Sequence, residues 1–574
     1  MNQSLDPPSI PPLCLINMDL LNSDLLIHTI SYLSVVDSSC FSASSRRMYY
    51  LTHQFRRILG PQLSTSSSSL AWESESRRPQ DNYKHCLSQL STKPNFALTF
   101  TGETGQDLLH HLNEVAPDGL VTLGATASGI QANCDDRVEH DIDAALMLGN
   151  FPPDRTKMVP FNLSDCDAST LLETIAESTP DGETVKSYWK VFIVYVCGSG
   201  YYSADNFVSA LQKNHPDAAI VGGICEAGHV SMEATKEYLT TKSTHELEAI
   251  LSLHGSGSDD LSEELLDDDE LLNKVLSAVQ GKRKYFVDRV SDGIFGLAFG
   301  GDVPVRSIVS RGVKSITGGN VSPDEPSRWN VEEVDFTRPG DADYMFRGDP
   351  EMLKPTHVIR KVRDLETGKI VSPLTILANV SNRQPEFVGI RRPNTDGYEL
   401  HALSPFSLQA NSIVLMTDGS PEQEAPMQNA NIDLFSLDAK SCLDHMDSTL
   451  EKLKSQTEDE VILGGVMFSC SGRGPEKRSM LREEMADAKL FNKHFPDVNL
   501  CGFYAGGEIG PMAMVGKQNI FQSGKAAVQG FTAVFALFIV PAVKPGAFHL
   551  DDSPENILSF VRASLPVTIR KRVD

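Results

Sequence analysis

Residues 192–200 read FIVYVCGSG and residues 465–474 read GVMFSCSGRG, and these two stretches decide the fold. Each is an apolar run that ends in cysteine and small residues, which is typical of a buried strand entering a turn. Each is followed by Pro-Asp and by a second apolar run that ends in glycine. The distance from proline to glycine is six residues in both, from Pro216 to Gly222 and from Pro496 to Gly502. A repeat at this separation predicts two related halves in one core.

The Pro-Asp pattern occurs a third time, before residues 119–129, which read GLVTLGATASG. This stretch predicts another strand that ends in small residues. Helices are predicted over 107–115, 443–453 and 480–495, so helices and strands alternate along much of the chain. Helices that pack on sheets through short connections predict an α+β fold.

Length, charge and cysteine content limit the classes of protein to consider. A chain of 574 residues predicts two to four domains. The net charge of −25 argues against nucleic-acid and anionic-membrane partners, which need a basic face. The most apolar stretch, 530–540, is about half a membrane span and predicts a buried strand. Ten cysteines without metal-type spacing, and no signal-like N-terminus, predict a reduced protein of the cytoplasm or nucleus.

The N-terminal region and one internal segment differ in composition from the rest. Residues 1–16 are proline-rich and are predicted to be disordered. Residues 17–60 are predicted to be helical, with apolar residues at helix-like spacings: Leu20, Leu21, Leu25, Leu26, Ile30 and Leu33. The serine run within 61–93 predicts a linker. Residues 255–272 hold eight acidic residues and no basic one, which predicts a solvated insertion.

A hairpin is predicted where residues 293–299, GIFGLAF, and residues 303–309 flank Gly300-Gly301-Asp302. From this point the sequence resembles the FIST domains (F-box and intracellular signal transduction). Residues 293–316 resemble the end of their N-terminal half, while VMFSCSGRG at 466–474 and FPDVNLCGFYAGGEIGPM at 495–512 resemble their C-terminal half. The resemblance implies the following division: an N-terminal half at 94–320, a connecting segment at 321–384, a C-terminal half at 385–545 and a tail at 546–574.

The resemblance also gives the N-terminal helices a role. Their leucine pattern, followed by Ser45-Arg46-Arg47, resembles a degenerate F-box that lacks the usual Leu-Pro opening and the usual tryptophan. A small all-α F-box module before an internally duplicated FIST domain of mixed sheets implies the substrate-recognition subunit of an SCF-type ubiquitin ligase. The leucine pattern would then dock on a Skp-type adaptor, as an apolar helix face docks in a groove. The other interpretation is a helical hairpin packed on the rest of the chain.

The implied partners are the adaptor, a cullin scaffold, an unidentified target protein and a small ligand. The chain itself is expected to be non-catalytic and to need no cofactor. Two alternatives stay open, namely a small-molecule sensor without a ligase role and a thiol-dependent enzyme that uses Cys470 and Glu508. No metal site is expected, because His110, His111 and His140 lack partners at ligand spacing.

The candidate pocket for a ligand or target combines the two glycine-rich strand ends: Cys470, Arg473, Gly506, Gly507, Glu508, Gly222 and Gly223. Glycines allow a close backbone approach to a ligand, but they also serve tight turns at strand ends. Arg473 is placed either to favour a thiolate at Cys470 or to pair with Glu508. Otherwise the cysteine is a small buried side chain, as cysteines commonly are.

Overall fold

The computed structural model describes most of the chain between residues 60 and 542. The described residues are 60–69, 79–102, 119–134, 137–138, 142–254, 268–279, 284–317, 327–341, 355–378, 385–393, 397–403, 411–416, 427–474, 479–512, 514–515, 520–521 and 525–542, with isolated positions at 30, 33, 52, 108, 112, 115, 380 and 395. Within these residues there are 27 strands, ten α-helices and one 3-10 helix.

The first of three related units contains six strands. Its elements are β1 (Gln62–Ser69), α1 (Pro79–Gln89), β2 (Phe96–Thr101), β3 (Val121–Thr126), β4 (Ile130–Cys134), β5 (Arg137–Val138) and β6 (Ile142–Asn150). Strands β2 and β3 are parallel, and positions 108, 112 and 115 between them are helical. Strand β6 pairs antiparallel with β2, and β1 pairs antiparallel with β6. The three described positions of the helix predicted at 107–115 are therefore helical, and its other residues lie outside the described residues.

The second unit repeats this order. Its elements are β7 (Thr156–Leu163), α2 (Ala168–Ser178), α3 (Val185–Tyr188), β8 (Trp189–Cys197), the 3-10 helix (Gly198–Tyr202), α4 (Ala204–Asn214), β9 (Ala219–Ile224), β10 (Ala227–Glu233), α5 (Lys236–Leu239), α6 (Thr244–His254), α7 (Asp268–Val279), β11 (Tyr285–Val290) and β12 (Gly293–Gly301). Strands β8 and β9 are parallel, β12 pairs antiparallel with β8, and β7 pairs antiparallel with β12.

The third unit starts with β13 (Val305–Ser310) and is interrupted by a separate sheet. The inserted elements are β14 (Val313–Ser315), β15 (Trp329–Thr337), β16 (Thr356–Asp364), β17 (Ile370–Val371), α8 (Leu374–Ala378), β18 (Phe387–Arg391), β19 (Tyr398–Ala402), β20 (Ile413–Met416) and β21 (Asn431–Leu437). The unit resumes with α9 (Ala439–Gln456), β22 (Glu460–Cys470), α10 (Ala486–His494), β23 (Leu500–Ala505), β24 (Glu508–Pro511), β25 (Met514–Val515), β26 (Ala526–Gln529) and β27 (Ala533–Pro541). Strand β25 belongs to the inserted sheet, which has nine strands.

The fourth strand of each unit leaves its own sheet and pairs with a neighbouring unit. Strand β4 pairs with β23, β10 pairs with β3, and β24 pairs with β9. The exchange is cyclic and produces three six-stranded sheets, ordered β1-β6-β2-β3-β10-β11, β26-β24-β9-β8-β12-β7 and β13-β27-β22-β23-β4-β5. The three Pro-Asp motifs each precede the second parallel strand of a unit. The predicted two-half duplication is therefore wrong, because the body contains three repeats.

The three sheets share one hydrophobic core. Phe100, Tyr195 and Phe468, one from each sheet, lie in the same buried cluster, and the Tyr195 and Phe468 rings are 5.9 Å apart. Helices cover the outer faces, with α4 on the second sheet and α9 and α10 on the third. Because strands covered on both faces need apolar side chains throughout, the cysteine-ending runs read as continuous apolar sequence. The predicted buried strand within 530–540 is confirmed as β27.

Glycine fixes the spacing of the two repeats that the sequence shows most clearly. Gly222 pairs with Val194 and Gly502 pairs with Met467 across parallel strands. A Cβ at Gly222 would lie 1.8 Å from the Val194 carbonyl oxygen, and one at Gly502 would lie 1.7 Å from that of Met467. No other residue type fits such an approach, so the equal Pro-to-Gly spacing reflects strand packing.

The predicted linker at 61–93 is wrong, because β1 and α1 occupy much of it. The serine hydroxyls that suggested flexibility make hydrogen bonds to α1. Ser64 Oγ donates to Gln89 Oε1 at 2.6 Å, and Ser66 Oγ donates to Asn82 Oδ1 at 3.0 Å. A flexible linker at 61–93 would separate the N-terminal residues 17–60 from the body, and the structure shows β1 and α1 there instead.

Three other sequence predictions need correction. The hairpin at 293–309 does not form, since β12 pairs with β7 and β8 while β13 pairs with β27. The connecting segment at 321–384 contains β15 and β16 of the inserted sheet, so a boundary at 385 divides that sheet. Of the acidic insertion, 255–267 lies outside the described residues, and its last five residues begin helix α7. The terminal segments 1–16 and 546–574 also lie outside the described residues.

Candidate functional site

Four buried side chains meet where strands of the third unit end. Cys470 is the last residue of β22 and Glu508 is the first residue of β24. Arg311 directly follows β13, and Thr532 directly precedes β27. Together with Gln529 they are called the Glu508 cluster here. The pairing of β24 with β9 of the second unit, as well as with β26 of its own unit, carries Glu508 into this position.

The Glu508 carboxyl is fully buried and only half satisfied. Its Oε2 atom accepts hydrogen bonds from Thr532 N at 2.9 Å and from Thr532 Oγ1 at 2.7 Å. The Cys470 thiol lies close enough to the carboxyl to act as a weak donor, and Oε1 has no other hydrogen-bonding partner within the described residues. Burial raises the pKa of Glu508 to about 7, against the opposing effects of Thr532, Cys470 and Arg311. The carboxyl therefore changes charge near neutral pH.

The Cys470 thiol is protonated at neutral pH. Burial, followed by the negative charge of Glu508, raises the pKa of Cys470 to about 11. The expectation that Arg473 favours a thiolate is wrong, because its guanidinium pairs with Asp487. Only 8% of Cys470 is exposed to solvent. A thiolate is the nucleophilic form of cysteine, so this environment disfavours covalent chemistry at Cys470.

Arg473 forms a buried ion pair with Asp487 instead of Glu508. The contact is bidentate, with Nε to Oδ2 at 2.9 Å and Nη2 to Oδ1 at 2.6 Å. The remaining nitrogen, Nη1, donates to the carbonyl oxygens of Arg311 at 3.0 Å and Phe531 at 3.4 Å. Burial alone would lower the pKa of Arg473, but Asp487 outweighs this and the pKa lies above its ordinary value. Arg473 therefore joins α10 to the loops that carry the Glu508 cluster.

Arg311 is the cation of the Glu508 cluster. Its Nη2 atom donates to Gln529 Oε1 at 3.3 Å, and its guanidinium carbon lies 5.2 Å from the centre of the Phe387 ring in β18. Burial lowers the pKa of Arg311 to about 10, and the nearby Glu508 carboxyl opposes that shift. Within the described residues Arg311 Nε makes no hydrogen bond. The cluster thus contains an unused donor on Arg311 and an unused acceptor on Glu508.

The four predicted glycines are brought next to Glu508, where they serve strand packing. Gly223 pairs directly with Glu508 across the junction of β9 and β24. Gly506 N donates to the Ile224 carbonyl oxygen, and Ile224 N donates to the Gly507 carbonyl oxygen, both at 2.9 Å. A Cβ at Gly507 would lie 2.7 Å from Ile224 Cδ1. Their backbone groups therefore hold the two units together.

The threefold repeat provides an internal test of what the fold requires at Glu508. Phe100, Tyr195 and Phe468 occupy the same inward-facing position in the three sheets. The residues that lie two strands away from them in the ladder can therefore be compared. At that position β24 carries Glu508, β10 carries Gly228 and β4 carries Ile130. Two of the three junctions form without an ionisable side chain. The architecture therefore does not explain the carboxyl of Glu508.

Sequence reasoning missed Arg311, Asp487, Gln529 and Thr532. Arg311 lies within the FIST-like stretch 293–316 but was not singled out there, and most of the inserted sheet separates it from Glu508 in the sequence. Asp487 is the second residue of α10, where a carboxylate also favours the helix N-terminus. This is the one signal in the sequence that could have suggested it as the partner of Arg473.

Four of the six predicted adaptor-binding residues lie outside the described residues. Leu20, Leu21, Leu25 and Leu26 are in that category. Ile30 and Leu33 are described, and Ile30 is helical and fully buried. The Arg155 guanidinium donates hydrogen bonds to the carbonyl oxygens of both residues.

An open cavity of about 810 Å³ lies away from the Glu508 cluster. It is bounded by the turn before β7, the loop around α3 and the end of β12, with these lining residues: Pro153, Asp154, Arg155, Thr156, Lys157, Pro180, Asp181, Glu183, Ser187, Tyr188, Lys190, Gly301 and Asp302. Its volume is within the range of small-molecule sites. No local sequence pattern indicates this cavity, because its walls come from separate segments.

Comparison with known proteins supports the resemblance for part of the chain. Residues 380–511 match the FIST C domain. This match contains Cys470, Arg473, Asp487 and Glu508, but ends before Gln529 and Thr532.

Two similar curated proteins come from mycobacteria. An uncharacterized protein of Mycobacterium tuberculosis is 39% identical over 77 residues, which cover 13% of this chain and 17% of the relative. An uncharacterized protein of Mycobacterium bovis is 38% identical over 76 residues, which cover 13% of this chain and 16% of the relative. The chain therefore spans less than a fifth of the length of the curated relatives that it matches.

Two further features of the described residues concern membranes and metals. No helix among them is both long and apolar enough to span a bilayer. In the same part of the chain, no group of three or more His, Cys, Asp or Glu side chains is arranged to hold a metal ion.

Proposed function

We propose that this chain is a non-catalytic recognition protein of the cytoplasm or nucleus, whose body binds a small ligand or a target protein. One observation carries the sensing half of this proposal. A buried carboxyl, one oxygen of which only the Cys470 thiol approaches among the described residues, stands at a strand junction that the other two repeats build with Gly228 and Ile130. Because Arg311 Nε also makes no hydrogen bond to the described residues, the ligand that fits offers a hydrogen-bond donor to Glu508 and an acceptor to Arg311.

A thermal-shift screen of small polar metabolites tests this sensing role. A true ligand raises the melting temperature of the full chain and loses that effect in Glu508→Gln and in Arg311→Met, because binding to the native state alone stabilises it. Glu451→Gln is the matched control, since Glu451 is an exposed carboxyl on α9. Hits that persist in both cluster variants would show that the ligand site lies elsewhere, and the proposal for Glu508 would then fail.

The recruiting half of the proposal places the chain in an SCF-type ubiquitin ligase. The leucine pattern would bind a Skp-type adaptor and, through it, the cullin scaffold, while the body selects the target protein. The sequence pattern at 17–60 supports this, together with the FIST C match. Pull-down of purified adaptor should succeed with the full chain and fail with a Leu25→Glu, Leu26→Glu double variant. Leu365→Glu is the control, because Leu365 is an exposed leucine in the body.

If the adaptor binds neither the wild type nor the Leu365 control, the recruiting role is wrong and sensing alone remains. The thiol-enzyme alternative is disfavoured by the raised pKa and burial of Cys470. Cys470→Ala should therefore leave target and ligand binding intact, and a loss of both would revive a thiol mechanism.

A further inference from the structure

We propose that Tyr201 and Tyr202 form a docking surface for an arginine- or lysine-containing segment of a target protein. The two residues end the 3-10 helix that follows β8, directly after the cysteine and glycine residues that close one of the two repeated apolar runs. The inference deepens the proposed function, on which it rests, because it names the chemistry of the target that the body would bind. It involves neither the Glu508 cluster nor the N-terminal residues.

Tyr201 and Tyr202 are the two most exposed aromatic side chains in the part of the chain that the structure describes. Their exposed fractions are 55% and 67%, whereas the other described Phe, Tyr and Trp side chains are buried or partly buried. The two ring centres are 5.6 Å apart and the ring planes lie at 80°, so one ring meets the other edge-on. Two adjacent rings in water lose the free energy that their burial would supply. Tyrosine is enriched at the centres of protein interfaces, where that free energy is recovered.

The fold holds the loop that carries the tyrosine pair in place. Gly198 has a φ of +54°, and a Cβ at this position would lie 2.3 Å from Asp292 Oδ1. A Cβ at Gly200 would lie 2.4 Å from the Gly293 carbonyl oxygen. Ser199 Oγ donates to Asp292 Oδ2 at 3.0 Å, and Ser199 N donates to Oδ1. The Gly-Ser-Gly sequence therefore builds a tight turn, and a preformed loop loses little conformational entropy when a partner binds.

The corresponding loop of the third unit turns its large side chain inwards. That loop follows Cys470 as the 3-10 helix follows Cys197, and its Arg473 is fully buried. Exposed aromatic rings are therefore a property of the loop in the second unit, and the repeated architecture does not require them.

The surroundings of the tyrosine pair are acidic. The antiparallel register sets the start of β12 between the ends of β8 and β7, so three turns lie side by side. Asp292 stands in the turn before β12, and Asp165 and Asp167 stand in the turn after β7, all three exposed. Hydrogen bonds from Ser199 lower the pKa of Asp292, which keeps its carboxylate charged at neutral pH. No lysine or arginine occurs in the three segments that contain these turns: 158–185, 198–212 and 290–305.

Exposed aromatic faces beside carboxylates fit a cationic partner. A guanidinium or ammonium group over a tyrosine ring is attracted by the electrons of the ring face. Arginine also stacks flat on aromatic rings and pairs with carboxylates through two of its nitrogens. The partner that fits is therefore a basic segment that places one side chain on each ring and others on the neighbouring carboxylates.

Fluorescence anisotropy with the purified full chain tests this surface. The probe is a short fluorescein-labelled peptide of alternating arginine and glycine, titrated at about 0.15 M salt. The Tyr201→Ala, Tyr202→Ala double variant should bind it about tenfold more weakly than the wild type, because two exposed cation–π contacts are lost. The Tyr201→Phe, Tyr202→Phe double variant keeps both ring faces and should stay within about twofold of the wild type. Asp292→Asn keeps an acceptor for Ser199 and should weaken binding about threefold by removing a charge.

Two variants and one peptide serve as controls. Glu451→Gln removes an exposed carboxyl on α9, and Ile370→Ala removes an exposed apolar side chain in the inserted sheet. Both should bind the peptide as the wild type does. A peptide with glutamine in place of arginine should not bind. The melting temperatures of the tyrosine variants should match that of the wild type, because both side chains are more than half exposed.

The outcomes separate this surface from the rest of the proposed function. Equal affinity of the wild type and the double alanine variant overturns the surface, because general negative charge would then hold the peptide. No binding by the wild type also overturns it, as does a phenylalanine variant that binds as weakly as the alanine variant. Weaker binding in the alanine variant and in Asp292→Asn, with both control variants unchanged, supports it. A failed ligand screen or adaptor pull-down leaves this result standing, and a failed peptide titration removes this surface alone.

Discussion

The ionisation of Glu508 should make the stability of the protein fall as pH rises towards neutrality. Burial raises the pKa of Glu508 from 4.5 to about 7 in the folded chain. Between these two values the folded state binds a proton that the unfolded state has released. Stability therefore decreases as pH rises through this window, and the loss is complete above the folded pKa. Replacing Glu508 by Gln removes the titration and keeps a neutral side chain of similar shape.

The expected magnitude follows from the size of the shift. One pKa unit corresponds to about 1.4 kcal/mol, so a shift from 4.5 to about 7 is worth about 3 kcal/mol. Glu508 is fully buried, so solvent screening does not reduce this figure substantially. Relative to the wild type, Glu508→Gln should gain about 3 kcal/mol of unfolding free energy between about pH 4 and pH 8. Any constant cost of the new amide beside Thr532 cancels in this comparison.

Urea denaturation of the full chain, followed by tryptophan fluorescence at several pH values, measures the effect. The wild type, Glu508→Gln and the exposed control Glu451→Gln are compared at constant ionic strength. The wild type and the control should show parallel pH profiles, while the Glu508→Gln profile should diverge between about pH 4.5 and 7. The pH at which the divergence levels off on its alkaline side gives the pKa of Glu508 in the folded chain.

A difference between Glu508→Gln and the wild type that stays constant from about pH 4 to 8 would refute the reasoning. It would mean that the carboxyl ionises in the folded state as it does in water. The opposite slope, in which the unfolding free energy of Glu508→Gln falls relative to the wild type as pH rises, would show that the ionised carboxyl stabilises the fold through Arg311. In that case the cluster would be a structural ion pair, and its role as a ligand site would lose its main support.

Three other substitutions test the account of the fold and of the cluster. Gly502→Ala places a Cβ against a backbone oxygen and should destabilise the protein by at least about 3 kcal/mol in urea denaturation, whereas Gly530→Ala, with open space around it, should cost less than about 1 kcal/mol. Asp487→Asn leaves Arg473 buried without its charged partner and should cost about 3–5 kcal/mol in the same assay. Cys470 should be alkylated at pH 8 at least about 100-fold more slowly in the native than in the urea-unfolded chain, as measured by peptide mass spectrometry, because burial and the raised pKa suppress the thiolate.

Local patterns predicted individual elements well. The apolar runs ending at Cys197 and Cys470 are the central strands β8 and β22, and the helix expected at 443–453 lies within α9. Periodicity and turn residues are encoded in neighbouring positions, so a single sequence is enough to find them. The third Pro-Asp motif was also visible. It was not recognised as a third repeat because the serine-rich β1 of its unit reads as flexible sequence until its hydroxyl partners on α1 are known.

Pairing between distant segments could not be predicted. The exchange of β4, β10 and β24 among units depends on which sheet edges meet, and no local pattern specifies this. The same limit applies to the cluster, in which Arg311 and Glu508 come from opposite ends of the third unit. The expected pairing of Arg473 with Glu508 is wrong for this reason, since Asp487 and Glu508 are both plausible partners by charge alone. Only packing decides that α10 lies over Arg473.

The third unit differs from the other two. Among the described residues, the first two units carry helices between their strands, whereas the third also contains the nine-stranded sheet, eight strands of which lie between β13 and β22 and the ninth, β25, after β24. That sheet supplies Phe387, which lies over Arg311, and its Glu399 binds Lys525 Nζ at 2.9 Å just before β26. The unit with the insertion is also the one with the buried carboxyl. Gly228 and Ile130 fill the equivalent positions in the other two units, so the buried carboxyl and the inserted sheet occur together in one unit of the three.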